Sequence, residues 1–177
     1  MARSPKRRPD HGSAGLLIVS GHRVLVLERS PGSRNGGTWG LPGGRVDEGE
    51  HALRAAHRET EEELGSVPPV HLLGCLSVRR RRRERYRIFV GRTPRQHREA
   101  WRPELNEEHV RWRWVSLAWL QARRDRLHPV LRLVADRPLA FDALREAVRA
   151  DEPLPDSVPR RRDPTIKLVG PAALRAS

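Results

Sequence analysis

The sequence predicts one mixed α/β domain, and three observations carry that reading. Two strand-like runs, AGLLIVS and RVLVLER, flank the turn pair Gly21-His22 near the start of the chain. A stretch from about Glu50 to Leu64 holds helix formers without an internal Gly or Pro, and Gly65, Pro68 and Pro69 close it. Further strand-like runs and then a mainly helical region follow, so that strands lie before and after a central helix. With 177 residues the chain can bury a real core and still have residues to spare.

Residues 1–12 form a basic arm rich in Pro, Arg and Ser, expected to be disordered. The domain is expected over 13–150. After the first hairpin, SPGSRNGG is a loop by composition, and TWGLPGG is a short extended piece ending in a Gly-Gly turn. Beyond the central helix, VHLLGCLSV and RYRIFVGR read as strands joined across the run Arg79–Arg83. VRWRWVSL follows an acidic loop as another. From Ala118 to about Ala150 the pattern is helical, broken at Pro129 and Pro138. Residues 151–177 are a tail, Pro- and Arg-rich at first and weakly apolar at the end.

The formal net charge is +13, carried almost wholly by arginine, since Lys6 and Lys167 are the only lysines. Such a surface attracts nucleotides, polyphosphates or nucleic acid, although a GC-rich coding bias explains an arginine excess more readily. Cys75 is the only cysteine, which excludes an intramolecular disulfide and a thiolate metal cage. Its apolar setting points to a buried small side chain. AGLLIVS is too short for a signal core or a membrane span, so a soluble cytoplasmic protein without membrane partners is expected.

Against that positive background, Glu59, Glu61, Glu62 and Glu63 crowd one turn of the central helix. At about one hundred degrees per residue, Glu59, Glu62 and Glu63 share a side, while Glu61 points away. Leu53, Ala56, His57, Thr60 and Leu64 are expected on the stripe that packs on a sheet. Ala52 and Ala55 are expected on the carboxylate side, leaving room for an approaching group. Unit charges 4 Å apart in partly shielded surroundings repel by about 4 kcal/mol. A divalent cation among the carboxylates reverses that cost. Hard oxygen ligands without a nearby Cys favour Mg²⁺ or Mn²⁺.

Read from Gly44, the pattern is Gly, five residues, Glu50, seven residues, then Arg58-Glu59-Thr60-x-Glu62-Glu63-x-Gly65, entered through WGLPGG. This resembles the signature box of the Nudix hydrolase family at every fixed position except the last, where Ser66 replaces an aliphatic residue. The resemblance implies an α/β/α sandwich with a mixed sheet. It also implies hydrolysis of a nucleoside diphosphate linked to another group, with Mg²⁺ or Mn²⁺. Carried over, Glu59, Glu62 and Glu63 with the Gly43 carbonyl would hold the metal, Glu62 acting in catalysis as well. Glu50 and Gly44 would support them, and Arg58 would orient Glu59 through an ion pair.

Outside the box, ELNEEHVRWRW resembles the segment where family members place a loop acid before a Trp-containing strand. Glu108 is the first choice for an added metal ligand or general base, then Glu107, then Glu104. Arg29, ending the second strand, is the candidate for a substrate phosphate, and Trp39 for a wall of the nucleotide pocket. Trp112 and Trp114 lie two apart on one strand face and are expected to pack in the core. The expected substrate is a small nucleotide or polyphosphate. Hydrolysis at an RNA 5′ end, served by Arg79–Arg83 with Arg85 and Arg87, is the less favoured alternative. A ligand-sensing regulator without turnover is another. Oligomeric state is open, a homodimer included.

Overall fold

The computed structural model of the chain describes residues 12–79 and 84–149, together with the backbone of a strand at Ile166–Val169. The basic arm before Gly12, residues 80–83 of the arginine run, and the tail apart from that strand lie outside the described residues. The first hairpin is present as β1 (Ser13–Ser20) and β2 (Arg23–Arg29), turning at Gly21 with φ 55°. The glycine-rich entry splits into β3 (Trp39–Gly40) and β4 (Gly43–Arg45). The helix α1 (Ala52–Leu64) starts at His51, whose ring accepts the Leu53 N–H at 3.3 Å. It stops at Gly65 in the left-handed conformation, φ 70°. Strands β5 (His71–Arg79) and β6 (Arg85–Arg92) form the second hairpin. A short helix α2 (Arg95–Ala100) and strand β7 (His109–Val115) follow. The helical region then breaks at its prolines into α3 (Leu117–Ala122), α4 (Pro129–Ala135) and α5 (Pro138–Arg149).

The strands make one mixed sheet in the order β3-β2-β1-β6-β5-β8, β8 being Ile166–Val169, with β4 paired to β1 and β7 to β2. Only the β1–β6 pair is parallel among the registers. Alternation along the strands sends side chains to two cores. Leu16, Ile18, Leu25, Leu27 and Phe89 pack with Ala52, Ala55, Ala56 and Leu64 of α1. Leu17, Val19, Val24, Val26 and Ile88 pack on the other face with α3, α4 and α5. Helices thus cover both faces of the mixed sheet, which is the α/β/α sandwich.

Three features depart from the sequence pattern. α2 and β8 were not expected. β8 pairs with β5 from Val78↔Ile166 to Cys75↔Val169, so part of the tail extends the sheet edge. The buried stripe of α1 is also rotated from the expected one. Ala52, Ala55, Ala56, Thr60, Glu63 and Leu64 are buried, whereas His57 is exposed and Leu53 only half-buried. The alanines therefore leave no room for an approaching group; they seat the helix closely on β1 and β4. Thr60 is accommodated by donating its hydroxyl to the Ala56 carbonyl at 2.6 Å.

Candidate functional site

The glycines of β4 bring backbone against α1. Gly43 has φ 147°, and its N–H donates to Glu63 Oε2 at 3.0 Å. At Gly44 a side chain has no space, because the Glu59 carboxylate occupies the position a Cβ would take. Both contacts follow from the pairing of β4 with Ser13–Gly15 of β1, beneath α1. The three helix carboxylates then diverge in character. Glu63 is buried, Glu59 is mostly covered, and Glu62 has 57% of its side chain exposed.

Arg58 gathers the surrounding acids. Its Nη1 donates to Glu59 Oε1 at 3.0 Å and to Glu62 Oε1 at 3.2 Å. Its Nε and Nη2 fork onto the two oxygens of Glu50 at 3.1 and 3.0 Å, and Nη2 also reaches the Arg45 carbonyl at 3.1 Å. A planar guanidinium can serve so many acceptors at once; a lysine cannot. The bonds from Arg58, and then the Asp47 N–H, hold the Glu50 carboxyl below its usual range. Glu59 is shifted upward, by burial first, with Arg58 opposing and the charges of Glu62 and Glu108 adding. Glu63 is pushed up to about 8. Burial is the main cause, the Gly43 N–H opposes it, and Glu108 and Glu59 reinforce it.

Of the three loop acids, the structure brings Glu108 to this cluster. Arg29 Nη2 donates to Glu108 Oε2 at 2.9 Å, and both act electrostatically on Glu63. Glu104 instead gives its N–H to the Leu64 carbonyl at 2.9 Å, and the Glu107 carbonyl accepts the Ser30 hydroxyl at 2.6 Å. Asn106, which sequence reasoning missed, organises this loop. Its N–H donates to the Glu63 carbonyl at 3.2 Å, and its Oδ1 accepts the Glu108 N–H at 3.1 Å. An Asn two residues before the acid was the available signal, since such side chains bond their own backbone two residues on. The neighbouring His109 is buried and its pKa is lowered to about 4, by desolvation first and then by the Arg29 charge.

Trp39 lies elsewhere. It is 6% exposed and packs in the core on the face away from α1, edge-on to Trp119 at 5.6 Å and beneath the Arg113 guanidinium at 5.6 Å. Its ring is committed to packing, so the expected pocket wall does not suit it. Trp112 and Trp114 are half-buried against the α1-side core, opposite Leu27 and Leu25.

Among the described residues, no group of three or more His, Cys, Asp or Glu converges as a ready-made metal cage. The donor set nonetheless suits a hard divalent cation. Glu59 and Glu63 are both shifted toward protonation, by burial first and then by the charges of neighbouring carboxylates, and a cation would relieve that state.

The model of the NUDIX domain matches residues 9–136, so the chain belongs to the Nudix hydrolase family. Nudix hydrolases generally use divalent metals. A crystal structure of a Nudix hydrolase from M. smegmatis, RenU, superposes with a TM-score of 0.58 at 28% identity, covering 78% of this chain and 85% of that one. An RNA pyrophosphohydrolase of Pelagibacter ubique is 27% identical over 125 residues, 62% of this chain and 78% of the relative. A putative 8-oxo-dGTP diphosphatase 3 of Mycobacterium tuberculosis is 43% identical over 60 residues, 31% of this chain and 28% of the relative. The chain spans less than a third of the length of the first curated relatives it matches, 14% and 28%. No helix among the described residues is long and apolar enough to cross a membrane.

Proposed function

We propose that the protein hydrolyses a pyrophosphate bond in a nucleoside triphosphate or another nucleoside diphosphate derivative, with Mg²⁺ or Mn²⁺. The observation that carries this reading is the buried Glu63 carboxylate, held on the Gly43 N–H with Glu59 and Glu108 close by. Glu59 is paired with Arg58 and Glu108 with Arg29, but Glu63 is buried with no ion pair among the described residues, and a bound cation would favour its charged form. Glu59, Glu62 and Glu63 would hold the cation with the Gly43 carbonyl, and Glu50 and Gly44 would support them. A bound divalent cation supplies charge neutralisation on the phosphates and a lowered pKa for water. Arg58 keeps Glu59 and Glu62 oriented from the solvent side. Glu108 serves as the proton acceptor, its position fixed by Asn106. Arg29 is then available to a substrate phosphate once its partner Glu108 is engaged. The relatives named above, an 8-oxo-dGTP diphosphatase and an RNA pyrophosphohydrolase, are the reason to include both oxidised nucleotides and RNA 5′ ends in the substrate panel.

The decisive experiment combines chelation with a matched pair of substitutions. Turnover of a nucleotide panel should vanish in excess chelator and return with Mg²⁺ or Mn²⁺. Glu62→Gln keeps size while removing a charge from the metal-facing set, and should lower the rate by at least about two orders of magnitude. Glu61→Gln, an exposed neighbour off that side, should stay within about twofold. Full activity in chelator, or equal rates for the two variants, overturns the reading.

We also propose 13–150 as the catalytic unit, with the arm and tail dispensable for turnover. β8 sits on β5 at the sheet edge, four strands from β2 in the sheet order. A chain ending at Ala150 is expected to lose a few degrees of melting temperature and keep its kcat. A folded but inactive truncation would place the tail in the site instead.

A further inference from the structure

The β5–β6 hairpin carries charge that the site above does not use. Arg79 and Arg85 stand directly opposite each other in the antiparallel register, and Arg87 follows two residues along β6, opposite Ser77. Like charges facing across a strand pair are destabilising. Among the described residues, none of the three has a carboxylate within ion-pairing distance. In sequence, residues 80–83 add four more arginines between them.

The strip lies on the catalytic face and at the catalytic end of the sheet. Tyr86 and Ile88 enter the core on the α3–α5 side, so Arg85 and Arg87 alternate to the α1 side, in line with Phe89, which packs on that side. The registers Gly44↔Ala14, Ala14↔Arg87 and Arg87↔Ser77 make one row across four strands. Arg87 is therefore two strand spacings from Gly44, about 10 Å. Gly44 is the residue on which the Glu59 carboxylate rests.

We infer that Arg79, Arg85 and Arg87 form a landing strip for the phosphate backbone of single-stranded RNA whose 5′-terminal phosphoanhydride enters the Glu59–Glu63 site. This rests on the pyrophosphohydrolase reading above and names a substrate class for it. The occupant must be a polyanion longer than a nucleotide, because the charges continue away from the site along two strands. It must also carry a terminal phosphoanhydride, which RNA chains begun from a nucleoside triphosphate do. Tyr86 is buried, so no aromatic platform accompanies the arginines. Recognition is therefore electrostatic and independent of base sequence.

The full chain is tested in three variants: Arg85→Ser with Arg87→Ser, Arg79→Ser, and a charge-matched control, Arg145→Ser with Arg149→Ser on α5. Binding is read by anisotropy of a 3′-labelled, 5′-monophosphorylated RNA of about eight nucleotides without metal. Hydrolysis is read with the 5′-triphosphorylated RNA and with the free nucleoside triphosphate, in Mg²⁺. Wild-type affinity should fall with salt at a slope of about −0.7 per contacted phosphate. The Arg85/Arg87 variant should lose at least about tenfold in affinity and in kcat/KM for RNA, and its slope should flatten by about 1.4. Arg79→Ser should give a smaller loss of the same kind. Free-nucleotide turnover and the melting temperature should not fall. Unchanged RNA affinity in the strip variants, or an equal loss in the control, overturns the strip. Displacement of the RNA by polyglutamate of equal charge assigns the strip to acidic protein and also overturns it. RNA bound through the strip, with neither substrate hydrolysed, leaves the strip standing and sinks the hydrolase reading. Free nucleotide hydrolysed, with RNA neither bound nor cut, does the reverse.

Discussion

Glu63→Gln is expected to lower kcat by at least about a hundredfold while raising the melting temperature of the metal-free protein at pH 8. Glutamine still accepts the Gly43 N–H, so β4 keeps its tie to α1, but the buried negative charge is gone. The pH dependence has a definite sign. The carboxyl titrates near 4.5 when free and at about 8 in the fold, so the folded state holds its proton more tightly. Its contribution is full below about pH 4.5 and is lost as pH rises to about 8, at no more than about 1.4 kcal/mol per pH unit. The gap in melting temperature between variant and wild type should therefore widen from pH 5 to pH 8, by at least about 3 °C. Metal added at pH 8 should stabilise the wild type and leave the variant nearly unchanged. A gap that stays constant across this range means that Glu63 carries no strained charge, and its place in the site falls with that.

Gly43→Ala is expected to cost about 3 kcal/mol or more of stability and to abolish turnover in whatever remains folded. The φ of 147° is outside the range of ordinary side chains. An added methyl would also meet the Ala14 carbonyl, the Gly15 Cα and the Tyr86 hydroxyl, the last at 2.7 Å. Two of these are backbone in β1, so the clash is relieved only by pulling β4 off the sheet. That movement also withdraws the N–H from Glu63. Gly49→Ala supplies the comparison, because φ there is 79° with open space around the position. It should show backbone strain alone, about 1–2 kcal/mol. Urea titration of the two variants separates the effects, and equal losses would remove the close packing of β4 from the account.

The box was legible because local spacing alone defines it. Helix period and the closing Gly65 are short-range features, whereas the expected Gly43-Gly44 turn is a strand, β4, because both residues pair with β1. The hairpin strands were legible for the same reason. What escaped depended on distant parts of the chain. The rotation of α1 buries Glu63 and exposes His57, and a hydrophobic pattern has no means of placing a carboxylate inside. Trp39 is close in sequence to the glycines of β4, yet it packs in the core on the face away from α1. α2 has no buried residue and no side-chain cap, so neither periodicity nor an N-terminal signal marks it. β8 pairs with β5 across some ninety residues of sequence, beyond the reach of any local rule. The segment before the Trp-containing strand offers Glu104, Glu107 and Glu108 alike, and the Asn106 and Arg29 bonds are what set Glu108 apart from Glu107.

The N–H groups of Glu104 and Asn106 close two of the terminal carbonyls of α1, at Leu64 and Glu63. The loop that bears Glu108 is thereby measured out from the end of the helix that bears Glu63. A residue inserted between 104 and 108 would shift one acid relative to the other, whereas lengthening the 30–38 loop would leave that spacing intact. Descendants of this chain could change length in the second loop beyond Ser30, which is tied to Glu107 and Glu108, and hardly at all in the first. New substrate preferences should therefore accumulate as insertions beside Arg29, on a catalytic frame whose length is fixed.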